Sequence, residues 1–214
     1  MGVGTWNLDG KWNPAHQAFM KAQNCDVWLL TEVPDKIQFD GYTTHLTQDS
    51  MLEDKRWAGV FSVASLPLDP LRDPHPASAA AVVGNTTFVS SVLPWRACGS
   101  EQPWVGSTTA EKTRSTLDAL LEHLPRQDLV WGGDWNHSLT GTETAGSNDG
   151  RDMILAALEE LQLWAPTTEL EHRLKGVKSI DHLAVSQQLS QAQLMATQVT
   201  AALHDGTGLS DHDA

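Results

Sequence analysis

Five short motifs along the chain each contain a carboxylate. They are Thr5-Trp6-Asn7-Leu8-Asp9, Leu30-Thr31-Glu32, Gly133-Asp134-Trp135-Asn136, Ile180-Asp181-His182 and Ser210-Asp211-His212. Two carboxylates roughly 4 Å apart repel by about 4 kcal/mol at an effective dielectric of about 20. We expect the chain to offer little positive charge around these motifs. A divalent cation is then the natural counter-charge, because magnesium, manganese and calcium prefer carboxylate and amide oxygens as ligands.

Short apolar runs with strand character precede three of these motifs. They cover residues 27–30, 129–131 and, more weakly, the residues before Asn7. Because strand ends meet at the edge of a sheet, we expect the carboxylates that follow them to converge in space. Further strands are predicted at 59–63, 79–83, 86–93, 180–185 and 195–200, and Asn85 separates two runs as a hairpin turn would.

Three segments carry helical signals. The first begins with Asn13 as an N-cap and Pro14 in the first turn. The second covers 107–124, where Thr108 and Glu111 have the spacing of a capping box, and the third covers 148–163. The proline-rich stretch 65–78 is predicted to be a loop. Hairpin-like strand pairs that alternate with helices predict an α/β (α+β) fold in which mixed sheets are covered by helices.

Length and composition limit the function classes. With 214 residues and no linker, the chain is expected to form one domain over 1–214. The formal net charge of -13 argues against broad electrostatic capture of nucleic acid. It still permits a local basic patch and a bound cation to hold one phosphate. Cys25 and Cys98 are too few and too far apart in sequence for a thiolate zinc site.

Targeting signals are not evident in the sequence. No apolar stretch approaches the roughly 20 residues that span a bilayer. The N-terminus lacks the charged segment and following hydrophobic segment of a signal peptide. We therefore expect a cytoplasmic protein without a membrane anchor.

Side-chain alternation predicts which residues face the cleft. In an extended segment, residues two apart share a face, so Asn7 is expected beside Asp9 and Asp134 beside Asn136. The tryptophans of these segments are expected to point the other way. Trp6, Trp28 and Trp131 are predicted to be core residues, His137 a surface residue and His182 a structural one.

In order and type, these motifs resemble those of the endonuclease/exonuclease/phosphatase superfamily. The resemblance rests on Trp6-Asn7-Leu8-Asp9-Gly10, Glu32, Gly133-Asp134-Trp135-Asn136, Asp181 and Ser210-Asp211-His212. The family includes pancreatic deoxyribonuclease, abasic-site endonucleases, neutral sphingomyelinases and inositol polyphosphate phosphatases. The resemblance implies a four-layer α/β sandwich of two mixed sheets flanked by helices, with the site at one end of the sheets.

The resemblance also implies a metal site for Mg2+ or Mn2+. Glu32 is expected to be the principal ligand. Asn7, Asp9 and Asp211 are expected to assist it through direct or water-mediated contacts with the metal. Hydrolysis of a phosphate ester adds negative charge to the phosphoryl oxygens in the transition state, and such a cation opposes that charge.

The catalytic roles are implied in the same way. Asp134 is expected to orient or deprotonate the attacking water, and Asn136 to donate a hydrogen bond to a phosphoryl oxygen. His212 is expected to face the phosphate. Asp181 is expected to hold the ring of His212 and raise its pKa.

The sequence departs from the family pattern in two places. Family members carry a histidine or tyrosine on the strand before the Gly-Asp-x-Asn motif, where alignment of the proline places Val92 here. Family members also continue past the Ser-Asp-His motif into a further strand, whereas this sequence ends at Ala214. Either the chain is a trimmed form, or its terminal motif is held less firmly than in relatives.

Two arginines are weaker candidates for substrate binding. Arg96 follows the strand that carries Val92, where it could supply positive charge or be an ordinary surface residue. Arg173 belongs to a basic cluster with His172, Lys175 and Lys178 just before Asp181, and such clusters are often only solvated faces.

These observations favour a magnesium- or manganese-dependent phosphoesterase that hydrolyses phosphodiester bonds, with nucleic acid as the preferred substrate. A nucleotide, a lipid headgroup or an inositol phosphate is the alternative within the enzyme class. A binding or scaffold protein that keeps the fold without turnover is the alternative from another class, motivated by Val92 and by the end of the chain.

Overall fold

The computed structural model describes residues 1–188, 195–202 and 207–214. The helices are α1 (Pro14–Gln23), α2 (Thr109–His123) and α3 (Asn148–Glu160). The first six strands are β1 (Val3–Asn7), β2 (Val27–Pro34), β3 (Tyr42–Leu46), β4 (Ser50–Leu52), β5 (Lys55–Val63) and β6 (Leu68–Pro70). The others are β7 (Ser78–Val83), β8 (Thr86–Ser91), β9 (Leu129–Asp134), β10 (Leu163–Trp164) and β11 (Asp181–Ser186).

These strands form two mixed sheets. The first has the order β1-β2-β5-β3, with β4 also paired to β5. The second has the order β10-β11-β9-β8-β7-β6. In each sheet one pair is parallel, β1 with β2 and β8 with β9, and the other pairs are antiparallel. The predicted mixed sheets are confirmed.

The strands bury both faces, which produces four layers. Leu29 of β2 and Phe88 of β8 belong to a cluster that fills the space between the sheets. The neighbouring residue of β2, Trp28, points the other way and packs with Met20 of α1. On the opposite side, Trp131 of β9 packs among residues of α2 and α3. This period-two alternation gives each sheet one face toward the other sheet and one toward a helix layer. The four-layer α/β sandwich is therefore confirmed.

The helix starts follow the predicted capping signals. The Asn13 side chain accepts hydrogen bonds from the Ala15 and His16 backbone N–H groups. Thr108 and Glu111 form a complete capping box at α2. These side chains satisfy N–H groups that the first helical turn leaves unpaired. The caps therefore define where α1 and α2 begin in relation to the strands.

Two regions differ from the prediction. Residues 195–200 form no strand in the part of the chain that the structure describes, so that prediction is wrong. Instead, Val199 exchanges two backbone hydrogen bonds with Ala214. The proline-rich stretch 65–78 contains the short strand β6. β3, β4 and β10 were also not predicted, because their sequences are short or contain few apolar residues.

Membrane spans are not found among the described helices, none of which is long and apolar enough to cross a bilayer.

Gly133 is required by the close approach of β8 to the end of β9. Its φ is +126°, and a Cβ placed there would lie 2.2 Å from the Ser91 carbonyl oxygen. Gly84, in the turn between β7 and β8, also has a positive φ of +63°, but nothing lies within 4 Å of such a Cβ. Substitutions at the two positions therefore distinguish the cost of backbone strain from the cost of steric overlap.

We expect Gly133→Ala to lower the free energy of unfolding by at least about 3 kcal/mol, because strain and overlap act together. Gly84→Ala, the matched control, is expected to cost only about 1 kcal/mol from strain. Urea unfolding followed by circular dichroism measures both changes. Equal losses in the two variants would show that the backbone of β8 moves away without cost.

Candidate active site

Both sheets contribute carboxylates to the same end of the sandwich. Asn7 ends β1 and Glu32 lies near the end of β2 in the first sheet. In the second sheet, Asp134 ends β9 and Asp181 begins β11. The antiparallel register of β9 and β11 places Asp181 directly opposite Asp134. Strand pairing therefore brings these residues together within each sheet, and the packing of one sheet on the other brings Asn7 to Asp134.

Asn7 joins the two sheets. Its side-chain Nδ2 donates to Asp134 Oδ2 at 2.9 Å and to Glu32 Oε1 at 3.2 Å. Its Oδ1 accepts the Asp9 backbone N–H at 2.9 Å. The side chain is buried, so these hydrogen bonds are shielded from water. Asn7 was predicted as a metal ligand, and its contacts here are with the carboxylates themselves.

The strand geometry does not continue to Asp9 or Asn136. Both residues have a positive φ, +51° and +52° respectively. The backbone N–H of Asp9 turns back to Asn7, and that of Asn136 turns back to Asp134 Oδ1 at 3.0 Å. The expectation that each pair shares one extended face is therefore wrong. The side chains of Asn7 and Asp134 thus accept the backbone N–H two residues on, and Asp and Asn tolerate the left-handed conformation that Asp9 and Asn136 adopt.

Asn136 is also directed differently from the prediction. Its Nδ2 donates to the Leu93 carbonyl oxygen at 3.0 Å, which ties the end of β9 to the segment after β8. Its predicted role as a phosphate donor requires a second use of the same amide group or a rotation of the side chain.

His212 is paired with Asp181. The distance from His212 Nδ1 to Asp181 Oδ2 is 2.6 Å, and His212 Nε2 lies 4.0 Å from Asp134 Oδ2. Burial disfavours the charged ring, but the negative charge of Asp181 and its hydrogen bond outweigh burial and raise the pKa of His212 to about 10. The ring is therefore an imidazolium at neutral pH, with Nδ1 donating to Asp181 and Nε2 facing Asp134.

Hydrogen bonds with β1 and with Arg173 hold the segment that carries His212. Ser210 Oγ donates to the Asn7 carbonyl oxygen at 2.7 Å and accepts the His212 backbone N–H at 3.2 Å. Arg173 Nη1 donates to the Ser210 carbonyl oxygen at 2.6 Å. Trp6 Nε1 donates to the His212 carbonyl oxygen at 3.1 Å. The motif is thus anchored on β1 and on Arg173.

Burial raises the pKa of Asp134. Together with the charge of Asp181, burial raises this pKa to about 7. The imidazolium of His212 and the hydrogen bond from Asn7 act in the opposite direction. A carboxyl group with a pKa near neutrality is suited to accept a proton from water.

Ligand atoms of Asp134, Asp181 and His212 lie within 4.8 Å of one another. We do not assign a metal ion to this trio. The protonated ring of His212 has no lone pair for a metal, and its positive charge already offsets part of the negative charge of the two carboxylates.

Lysines accompany two of the predicted metal ligands. Lys55 Nζ lies 2.7 Å from Glu32 Oε2, and Lys11 Nζ lies 2.6 Å from Asp9 Oδ2. The expectation of little positive charge around the motifs is therefore wrong. Sequence reasoning missed Lys55 because its position follows from the register of β5 on β2, where Lys55 lies opposite Pro34.

The donor chemistry nevertheless fits Mg2+ or Mn2+. Glu32 and Asp9 present hard carboxylate oxygens, and a single N–H contact leaves such an oxygen a free lone pair. The Gly10 backbone N–H donates to the Glu32 carbonyl oxygen at 2.9 Å, which keeps the turn that bears Asp9 next to Glu32. Asp211 is more exposed than Glu32 and Asp9, since 66% of its side-chain surface is accessible.

Val92, Arg96 and Arg173 lie in three different surroundings. Val92 is buried between the sheets and offers no polar group. Arg96 is exposed, and its Nε donates to the Gly146 carbonyl oxygen at 3.2 Å. The His172 ring lies edge-on to the His212 ring at a centroid distance of 6.3 Å. The loop that contains Arg173 thus borders the site.

His137 is a core residue, so its prediction as a surface histidine is wrong. Its Nδ1 bonds the Trp135 carbonyl oxygen at 2.8 Å. A Cβ on Gly146 or Gly150 would lie 2.2 Å or 2.3 Å from His137 Nε2. These two glycines leave the space that the ring fills. His182 is buried, as predicted for a structural histidine.

Comparison with known proteins supplies the fold relationship. No protein-family model matches the chain, and no curated protein matches it. Among solved structures, the endonuclease domain of TRAS1, a telomere-specific non-LTR retrotransposon, has a TM-score of 0.69 and 15% identity. That match covers 98% of this chain and 93% of the other.

Two further structures are similar. The AP endonuclease LMAP from Leishmania major has a TM-score of 0.66 and 15% identity, over 98% of this chain and 84% of that one. An endonuclease/exonuclease/phosphatase from Beutenbergia cavernae has a TM-score of 0.60 and 16% identity, over 99% and 69%. Likeness at these identities establishes the fold. This chain therefore has the fold of the endonuclease/exonuclease/phosphatase superfamily.

Proposed function

We propose that the protein is a divalent-metal-dependent phosphoesterase that hydrolyses phosphodiester bonds, as a nuclease does. The observation that carries the proposal is the buried arrangement of Asp134 facing the His212–Asp181 pair. It unites a proton acceptor and a fixed positive charge at the end of the sandwich where Glu32 also lies. Two of the three similar solved structures are named as endonucleases, which supports a nucleic-acid substrate.

The reaction class follows from where charge develops. Attack of water on phosphorus requires removal of a proton and adds negative charge to the phosphoryl oxygens. Asp134 is assigned as the group that accepts this proton, because its raised pKa makes it a stronger base near neutral pH. His212 keeps its own proton and donates from Nε2 to a phosphoryl oxygen. Asp181 positions the ring, and Asn136 is assigned a second hydrogen bond to phosphate.

Glu32 and Asp9 are assigned to hold Mg2+ or Mn2+, with Asn7 and Asp211 beside them. When bound, the ion supplies positive charge against the phosphoryl oxygens. Asn7 has a further role that does not depend on the ion. By donating to both Asp134 and Glu32, it holds the carboxylates of the two sheets at a constant separation.

Binding of the substrate is assigned to two basic groups. Arg173 and Arg96 are the proposed contacts to the flanking phosphates, and the net charge of -13 confines such contacts to a small patch. The proposed substrate is therefore a short stretch of nucleic acid, held at few phosphates, rather than a long polyanion gripped along its length.

The proposal is tested with metal-free protein and five kinds of substrate: plasmid DNA, a labelled oligonucleotide, bis(p-nitrophenyl) phosphate, nucleotides and inositol phosphates. We expect product only when Mg2+ or Mn2+ is added, and none from Glu32→Ala assayed at the same concentration. Metal binding without any product would support a scaffold protein. Cleavage of nucleotide or inositol phosphates alone would move the substrate to small phosphate esters. Full turnover in the presence of EDTA would contradict the proposed metal dependence.

A further inference from the structure

Lys55 forms an ion pair with Glu32, whose carboxylate is assigned as the principal metal ligand. Its Nζ lies 2.7 Å from Glu32 Oε2, and the two side chains are only 15% and 22% exposed. The other oxygen of Glu32, Oε1, accepts from Asn7. Both oxygens of this carboxylate therefore have nitrogen donors before any ion is present.

The backbone at Gly10 accommodates the lysine side chain. A Cβ on Gly10 would lie 2.5 Å from Lys55 Cε and 3.1 Å from Lys55 Nζ. Gly10 also has a φ of +66°, which favours glycine on conformational grounds. The ammonium thus lies between the turn that carries Asp9 and the carboxylate of Glu32.

The neighbouring pair of Lys11 and Asp9 is different. Their side chains are 52% and 37% exposed, so water and salt screen their attraction. The Lys55–Glu32 pair is more enclosed, and its electrostatic interaction is correspondingly stronger. An ion approaching Glu32 therefore meets one cation held firmly and another held loosely.

We propose that Lys55 is the resident counter-cation of Glu32 and that it competes with the divalent metal ion for this carboxylate. The inference rests on the proposed function, in which Glu32 holds the metal. Without an ion, the ammonium relieves the repulsion among the converging carboxylates. With an ion, the ammonium either withdraws from Glu32 or remains beside a doubly charged neighbour, and both outcomes weaken metal binding. Lys55 thereby sets the metal concentration at which the site is loaded.

Isothermal titration of metal-free protein with MnCl2 tests the competition directly. We expect Lys55→Met to bind Mn2+ at least about tenfold more tightly than wild type. The substitution removes both the repulsion between the ammonium and the ion and the competition for the Glu32 carboxylate. Lys55→Arg keeps the positive charge and is expected to bind within about threefold of wild type. Lys21→Met is the matched control, since exposed Lys21 lies in the last turn of α1, away from the end of β2 that bears Glu32.

Circular dichroism establishes that each variant is folded, and Lys55→Gln replaces Lys55→Met if the latter is not. The competition is overturned if the neutral variant binds Mn2+ no more tightly than wild type, or if neither binds it. Hydrolysis of bis(p-nitrophenyl) phosphate is measured separately on the same samples. Tighter Mn2+ binding without hydrolysis in any sample would leave the competition standing and refute the phosphoesterase. Unchanged binding in a hydrolysing protein would do the reverse.

Discussion

Replacing Asp134 with Asn is expected to lower kcat for bis(p-nitrophenyl) phosphate by about 1000-fold, the loss typical of removing a general base. The Asn side chain has nearly the same shape but cannot accept a proton from water. Because Asp134 is buried and its pKa is raised to about 7, the neutral amide also resembles the protonated form that the native site tolerates. We therefore expect the variant to remain folded. Steady-state kinetics at saturating Mn2+ measure the loss.

The matched control is Asp152→Asn, the same substitution at an exposed position of α3. It is expected to keep the wild-type kcat. Retention of more than about a tenth of the activity by Asp134→Asn would show that another group accepts the proton of the attacking water, since a general base contributes at least about 100-fold. Loss of the near-ultraviolet circular dichroism signal in Asp134→Asn would instead assign the defect to folding.

Replacing Asp181 with Asn is expected to lower the pKa of His212 from about 10 toward the ordinary range of histidine. Burial opposes the charged ring, and the charge of Asp181 is what overcomes it. In wild type, the His212 imidazolium stabilises the fold below its unfolded pKa of about 6.5, and this stability is lost as pH rises through about 10. The variant should lose it at lower pH. We expect kcat at pH 8 to fall by about 100-fold.

NMR titration of the His212 ring in metal-free protein measures this change without reference to activity. Asp211→Asn is the comparison, because its carboxylate lies 3.9 Å from His212 Nε2 but is 66% exposed and screened by water. Its effect on the pKa should be clearly smaller. An unchanged titration in Asp181→Asn would show that Asp181 does not position or charge the ring, and the assigned role of His212 would then need another partner.

Much of the architecture was accessible from sequence, because the signals were local. The cap at Asn13 and the capping box of Thr108 and Glu111 act within one helical turn, so α1 and α2 begin where expected. Trp6, Trp28 and Trp131 were predicted to be core residues, and all three are buried. Apolar runs precede several of the motifs, so motifs far apart in sequence were expected to meet at strand ends. Only the packing of the two sheets brings Asn7 to Asp134.

The geometry of the turns was harder to predict from the sequence. Asp9 and Asn136 adopt left-handed conformations that the alternation rule does not describe. His137 is buried because Gly146 and Gly150 leave space for its ring, and that space exists only once α3 is in place. Local polarity alone favoured a surface position, so the prediction failed for a reason of packing.

The sequence by itself determined the chemical types at the site and the alternation of strands with helices, since both depend on residue identity and on short periodic patterns. The four layers were implied only by the resemblance to the superfamily. Only the tertiary structure decided which charges meet. Lys55 reaches Glu32 through the register of β5 on β2, and His212 meets Asp181 across 31 residues of chain. Electrostatic energy depends on distance and burial, and neither is defined until the strands are paired.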